Sequence, residues 1–160
     1  MFSTMLQRIL VPVKGADQQD DQLACIRDHA ADGAIEVRVV YVTPVEYCGR
    51  GCFSLETPDD ASYLVDAAVF ELRMAGIGAH GGVRRALVDR VGREVSRDAA
   101  EWNPDVIVLG SSCRSPLKRR RLGRIEGRLA RSASCPVLVA PTAGTAIDRA
   151  HRLLAPRLGC

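Results

Sequence analysis

The chain has 160 residues, about the length of one domain with a sizeable core, and its 47% apolar and 26% charged content is that of an ordinary globular protein. Aromatic residues make up only 4%, which argues against a base-stacking nucleic-acid module, and no apolar run reaches the ~18 residues of a membrane helix. The net charge of +3 is uneven: residues 1–100 carry 11 basic and 15 acidic side chains (net −4), residues 101–160 carry 11 and 4 (net +7), so an anionic partner belongs near the C-terminal part.

In chain order, "RILVPV" (Arg8–Val13) reads as a buried strand, followed by the loop "KGADQQDD". The lead "MFSTMLQRILVPV" has no cleavage-site pattern behind its apolar patch, so the cytosol is the expected location. Leu23, Ile26 and Ala30 recur at helical spacing after Asp20 and Asp21, and Gly33 is the expected stop. "VRVVYV" (Val37–Val42) is a second strand ended by Thr43-Pro44, and residues 43–58 read as an irregular loop. Pro58-Asp59-Asp60 opens a second helix with the stripe Leu64, Ala67, Ala68, Leu72 and Ala75, closed by Gly76 and Gly78.

"GVRRALV" (Gly82–Val88) reads as an edge strand, where Arg84 and Arg85 discourage mispairing. Val91, Val95, Ala99 and Trp102 mark a third helix that stops before Asn103-Pro104. "DVIVLG" (Asp105–Gly110) is the most strongly buried strand. Leu122, Ile125, Leu129 and Ala133 mark a fourth helix, and "CPVLVA" (Cys135–Ala140) a fifth strand. In the tail, Ile147, Ala150, Leu153 and Leu154 are spaced for a short helix. Strands alternating with amphipathic helices predict a single α/β domain: a five-stranded parallel sheet covered on both faces. Ligands of such sheets sit beyond the C-terminal strand ends, so "PVKGAD" and "GSSCRSPLKRRRLGRI" (Gly110–Ile125) are the loops of interest.

Two pieces, "RILVPVKGADQQDDQL" and "NPDVIVLGSSCRSPLKRRRLGRIEGRLARSASCPVLVAP", resemble the universal stress protein family. The resemblance spans residues 6–141, is strongest over 103–141, and leaves 142–160 as an extension. It implies a Rossmann-like, adenine-nucleotide alpha-hydrolase-like sheet of strand order 3-2-1-4-5. It also implies homodimers paired through the last strand, here Pro136 to Ala140. Some members bind ATP through a G-x2-G-x9-G-[ST] loop, where glycines let backbone N–H groups approach phosphate. Gly110 and Gly123 keep the outer glycines of that pattern, Cys113 replaces the middle one, and Arg124 replaces the hydroxyl. Lys14 stands where the family has an aspartate near the nucleoside. Carried onto this chain, the family's nucleotide site comprises Pro12, Val13, Lys14, Val42, Leu109, Gly110, Cys113, Gly123, Arg124 and Ile125.

These departures imply a non-catalytic stress-response module with impaired or altered nucleotide binding. The alternative is an ATP, AMP or cyclic-nucleotide binder in which Lys14, Arg124 and the run Lys118–Arg121 replace lost contacts. No cofactor is required by the first reading, and a small anionic ligand suits either. The basic run can equally be a solvated face. Nucleic acid is disfavoured, since charge alone accompanies the run and no recognition pattern does. Cys48 and Cys52 form a C-x3-C with no further ligands for zinc; they read as free thiols, with a loop disulfide on oxidation as the alternative. Cys113, beside Arg114, is either inert or a redox-sensitive thiol, and Cys135 is expected in the core. No nucleophile–base set or carboxylate pair supports an enzyme.

Overall fold

The computed structural model describes residues 7–14, 16–30, 34–54, 56–110, 128–129 and 131–140. In order these form β1 (Gln7–Val13), α1 (Ala16–Ala30), β2 (Ile35–Cys48), β3 (Gly51–Phe53), α2 (Pro58–Met74), β4 (Gly78–Leu87), a 3-10 turn (Val88–Arg90), α3 (Val91–Trp102), β5 (Val106–Leu109) and β6 (Val137–Val139). Five strands are parallel in the order β4-β2-β1-β5-β6. This is the expected 3-2-1-4-5 arrangement, counted over the parallel strands alone. The sixth strand, β3, pairs antiparallel with the far end of β2.

The uninterrupted apolar runs are explained by burial on two faces. Ile9, Val11 and Val13 of β1, Val37, Val39 and Tyr41 of β2, and Val106 and Val108 of β5 join one core with α1 and α2. The alternate residues Leu10, Val40, Val42, Ile107 and Leu109 join a second core with Val95 and Ala99 of α3, and with Leu129 and Ala133. Strands buried on both sides cannot show the polar alternation of a half-exposed sheet. Cys135 is buried with the second core, as expected.

Several boundaries differ from the sequence reading. Helix α1 begins at Ala16, not near Asp20. Its early turns carry glutamines and aspartates, which hide the apolar period. Strand β2 does not stop at Thr43-Pro44: it pairs with β4 as far as Val45↔Leu87 and then forms a hairpin with β3. Pairing with β1 ends at Tyr41, so among the described residues β2 has no strand partner on that side at Pro44, where a proline is tolerated within a strand. The segment read as an irregular loop is therefore partly a hairpin.

Helix α2 starts with a capping box: Thr57 Oγ1 accepts from Asp60 N–H at 3.2 Å, and Asp60 accepts from Thr57 N–H at 3.1 Å. Its fully buried stripe is Ala61, Val65, Ala68, Val69 and Leu72; Leu64 and Ala67 are only half-buried and Ala75 is exposed. Gly76 ends the helix with φ of 78°, as expected, but Gly78 opens β4. Strand β4 thus starts four residues before the predicted Gly82. At Gly81 a Cβ would lie 2.2 Å from Val65 Cγ1, so glycine lets α2 pack directly on the strand. Helix α3 ends at Asn103, in the left-handed region with φ of 55°, whose N–H donates to the Ala99 carbonyl at 2.8 Å. Of the fourth predicted helix, residues 128–129 and 131–132 are helical, with Leu129 fully buried; Leu122 and Ile125 lie outside the described residues, as does the tail.

Candidate functional site

Strands β1 and β5 are neighbours at the centre of the sheet. Helix α1, which follows β1, packs on one face, and Leu129, from the connection that leaves β5, packs on the other. The chain therefore diverges at the C-terminal ends of these strands, which is the topological switch point where open α/β sheets hold ligands.

The β1–β5 seam is fastened at both ends. At its base, the Arg8 N–H donates to Asp105 Oδ2 at 2.7 Å, and the Asp105 N–H donates to the Arg8 carbonyl at 2.8 Å. The ladder runs through Ile9↔Val106 and Leu10↔Ile107. Beyond it, the Gln22 side chain of α1 takes over. Its Nε2 donates to the Pro12 carbonyl at 2.8 Å and to the Val108 carbonyl at 3.1 Å. Gln22 is 1% exposed. Two buried acceptors on adjacent strands cannot satisfy each other, and Pro12 has no N–H to offer. One side-chain amide supplies both donors and forms the floor of the crevice.

Around this floor stand six of the expected site residues. Pro12, Val13 and Lys14 close β1, Leu109 and Gly110 close β5, and Val42 follows Tyr41, the β2 partner of Val13. Val13, Val42 and Leu109 are buried in the two cores, so only their backbone groups are available to a ligand. Lys14 is the exposed charged side chain of the group. Cys113, Gly123, Arg124 and Ile125 lie outside the described residues, as do Arg114 and Lys118–Arg121.

The sequence reading missed the polar groups that shape this end of the sheet. Besides Gln22, Gln19, Asp21 and Thr43 are buried there or in the first turns of α1. Tyr41 donates its phenol proton to Glu56 Oε2, Ser54 Oγ donates to the Pro44 carbonyl at 3.1 Å, and Glu56 N–H donates to Ser54 Oγ at 3.3 Å. These bonds rivet the segment after the hairpin onto β2. Burial, then the Glu56 carboxylate, pushes the Tyr41 phenol well above its ordinary pKa.

Away from the crevice, Asp98 of α3 is fully buried. It accepts from Arg38 at 2.8 and 2.9 Å and from Arg84 at 2.7 Å, while Arg84 also pairs with Glu101. Burial raises the Asp98 carboxyl pKa, but the hydrogen bonds and charges of the two arginines outweigh it and hold the pKa below the usual range. Of the two arginines read as edge guards on β4, Arg85 is exposed and fits that role; Arg84 instead ties the strand to α3. Strand β4 is nonetheless an edge strand, paired with β2 alone among the described strands. At the base of the sheet, Arg8 lies 4.4 Å from the Trp102 ring centroid and His80 meets the same ring edge-on at 5.5 Å. A signal for Gln22 and Asp98 was present: each sits on the apolar face of its helix, beside Leu23 and Ala99.

Cys48 and Cys52 are exposed free thiols. In the hairpin Cys48 faces Gly51 and Tyr47 faces Cys52, so the two thiols project from opposite faces of the ribbon. That arrangement opposes the loop-disulfide alternative. Among the described residues no group of three or more His, Cys, Asp or Glu could hold a metal ion. Nor is any described helix long and apolar enough to cross a membrane.

The model of the universal stress protein family matches residues 5–141. No curated protein matches the sequence at a significant level. Among solved structures, a universal stress protein from Archaeoglobus fulgidus is similar at a TM-score of 0.67 and 22% identity, covering 86% of this chain and 100% of that one. A universal stress protein from Archaeoglobus fulgidus in complex with dAMP has a TM-score of 0.62 and 19% identity, covering 87% and 100%. A universal stress protein family protein from Arabidopsis thaliana with AMP bound has a TM-score of 0.59 and 15% identity, covering 89% and 97%. At these identities the structures share the fold.

Proposed function

Because the chain belongs to the universal stress protein family, we propose that it is a cytosolic, non-catalytic regulatory module of the stress response whose nucleotide crevice is altered. The observation that carries this reading is Lys14. It stands exposed at the end of β1, next to the end of β5, where the family resemblance calls for a carboxylate. The family's fold is kept, while the charge at the end of β1 is the reverse of what the resemblance implies. By sequence, Cys113 puts a Cβ where the family pattern has its middle glycine, at a cost on the order of 1 kcal/mol if that position needs φ above zero.

A second reading is supported by the similar structures that hold dAMP and AMP. Here the crevice takes an adenine nucleotide, and Lys14, Arg124 and Lys118–Arg121 supply the phosphate contacts. Mass spectrometry of ligand released from the purified protein, with calorimetric titration of ATP, AMP and cyclic AMP, separates the two. Dissociation constants below about 1 μM would overturn the impaired-site reading. Under that reading, Cys113→Gly with Arg124→Ser raises ATP affinity. Sustained nucleotide turnover abolished by one substitution would overturn the non-catalytic assignment.

We further propose a homodimer through the last strand, Pro136 to Ala140. Strand β6 pairs with β5 on one side, and Val139 is 43% exposed. Val139→Pro should halve the mass seen by light scattering; an unchanged mass would exclude this edge as the dimer contact.

A further inference from the structure

Helix α2 carries a second apolar stripe that the core does not use. Its buried face is Ala61, Val65, Ala68, Val69 and Leu72. On the opposite side, Tyr63, Phe70 and Met74 are 78%, 63% and 72% exposed, with half-buried Ala67 completing the row. The spacing 63, 67, 70, 74 is the alternating four-and-three step of a helix-pairing seam. A helix that only covers a sheet has no need of large side chains there, and contiguous exposed apolar rows mark contact surfaces.

The flank of the stripe says what it fits. Asp66 and Arg73 are both exposed, and lie seven residues apart on the same side of the row. Arg73 is held there by its Nε, which donates to the Ala79 carbonyl at 2.9 Å. Side-by-side parallel pairing of two such helices would set Asp66 against the partner's Glu71, which is exposed on the opposite flank of the row, like charge against like. Antiparallel pairing about a two-fold axis between Ala67 and Phe70 stacks Tyr63 on the partner's Met74 and Ala67 on the partner's Phe70. It also brings Asp66 to the partner's Arg73, twice by symmetry. The row is thus complementary to itself in apolar contact and in charge.

We propose that the outer face of α2 is a self-association surface that takes the α2 helix of a second copy of this chain, antiparallel. The contact is independent of the nucleotide reading and of the β6 edge. Three large side chains from each copy bury on the order of 600–900 Å², below the 1,200–2,000 Å² of a stable interface. The pairing is therefore weak and concentration-dependent, suited to joining units that another interface holds together.

Sedimentation of the full chain over a range of concentrations, in the Val139→Pro background and without it, tests the proposal. Phe70→Glu should weaken the concentration-dependent step about tenfold or more. Asp66→Arg should weaken it too, and adding Arg73→Asp should restore it, with thermal melts confirming that each variant folds. With Ala67→Cys, a short bismaleimide should link two copies at position 67, as read by peptide mapping. Identical sedimentation of wild type and Phe70→Glu, with no link at position 67, would overturn the proposal. So would a loss of hydrogen-exchange protection in residues 142–160 on Phe70→Glu without a change in mass, which would assign the stripe to the chain's own tail.

Discussion

Replacing Gln22 by leucine isolates the role of the β1–β5 seam. The volumes are close, so the cavity term is small and the transfer term favours leucine. What changes is the pair of carbonyls, Pro12 and Val108, which receive Nε2 at 2.8 and 3.1 Å in a site only 1% exposed. Each buried acceptor left without a donor costs about 1–3 kcal/mol. Two such groups cost about 2–6 kcal/mol, and a gain of about 1 kcal/mol from burying an apolar side chain leaves a net loss of about 1–5 kcal/mol. For a chain of this size that lowers the melting temperature by roughly 2–20 °C. Urea denaturation read by circular dichroism gives the free energy directly, provided the slope matches wild type. Gln22→Glu should lose more, because a carboxylate brings a third acceptor and no donor. If Gln22→Leu stays within about 0.5 kcal/mol of wild type, the carbonyls have other donors and the seam reasoning fails.

Two further predictions concern buried ionisable groups. Asp98→Asn leaves Arg38 and Arg84 facing a neutral amide and should cost about 3 kcal/mol by denaturant titration, with wild-type stability at pH 7 excluding the role. The folded Asp98 pKa lies below its unfolded value of about 4, so its contribution is complete above that pH and fades as the pH falls through the folded value. A melt series from pH 6 to pH 2 should show a smaller acid loss in Asp98→Asn than in wild type. Tyr41 has the opposite sign: its folded pKa is raised, so stability is full below about pH 10 and falls as the pH rises above it. Tyr41→Phe should remove that alkaline decline, and an equal decline in both proteins would refute the Tyr41–Glu56 coupling.

The sheet was legible because its strands are short, continuous apolar runs with turn signals between them. "DVIVLG" and "RILVPV" have few alternatives to a doubly covered strand, and they lie side by side as expected. What escaped was polar burial and local extension. Gln22 and Asp98 look like surface residues until the helix face is worked out, since they match the expected polarity of a helix and not of its buried side. The hairpin of Tyr47, Cys48, Gly51 and Cys52 escaped because Thr43-Pro44 reads as a stop, whereas pairing with the neighbouring β4 keeps β2 extended past it. The α2 face was misread by part of a turn: a helix with apolar residues on two sides offers two stripes, and periodicity alone does not say which one is inside.

Lys14 is where the two nucleotide readings part, and the two predict opposite signs for Lys14→Asp. Pro12 and Val13 are fixed by the sheet and by Gln22, so Lys14→Asp reverses the charge next to a stretch of backbone held in place. If the family's carboxylate near the nucleoside is what this chain lacks, restoring it adds a charge-assisted hydrogen bond to the nucleoside. That is worth about 1.5–3 kcal/mol, or about tenfold or more in affinity. The gain would be similar for adenosine, AMP and ATP, because the phosphates take no part in it. If instead Lys14 holds phosphate, Lys14→Asp weakens binding, increasingly from AMP to ATP and most at low salt, and leaves adenosine almost unchanged. Calorimetry with the three ligands at two salt concentrations reads the sign and the trend together. The altered-site reading expects the uniform gain, and a loss that grows with phosphate count would replace it with a retuned anion site.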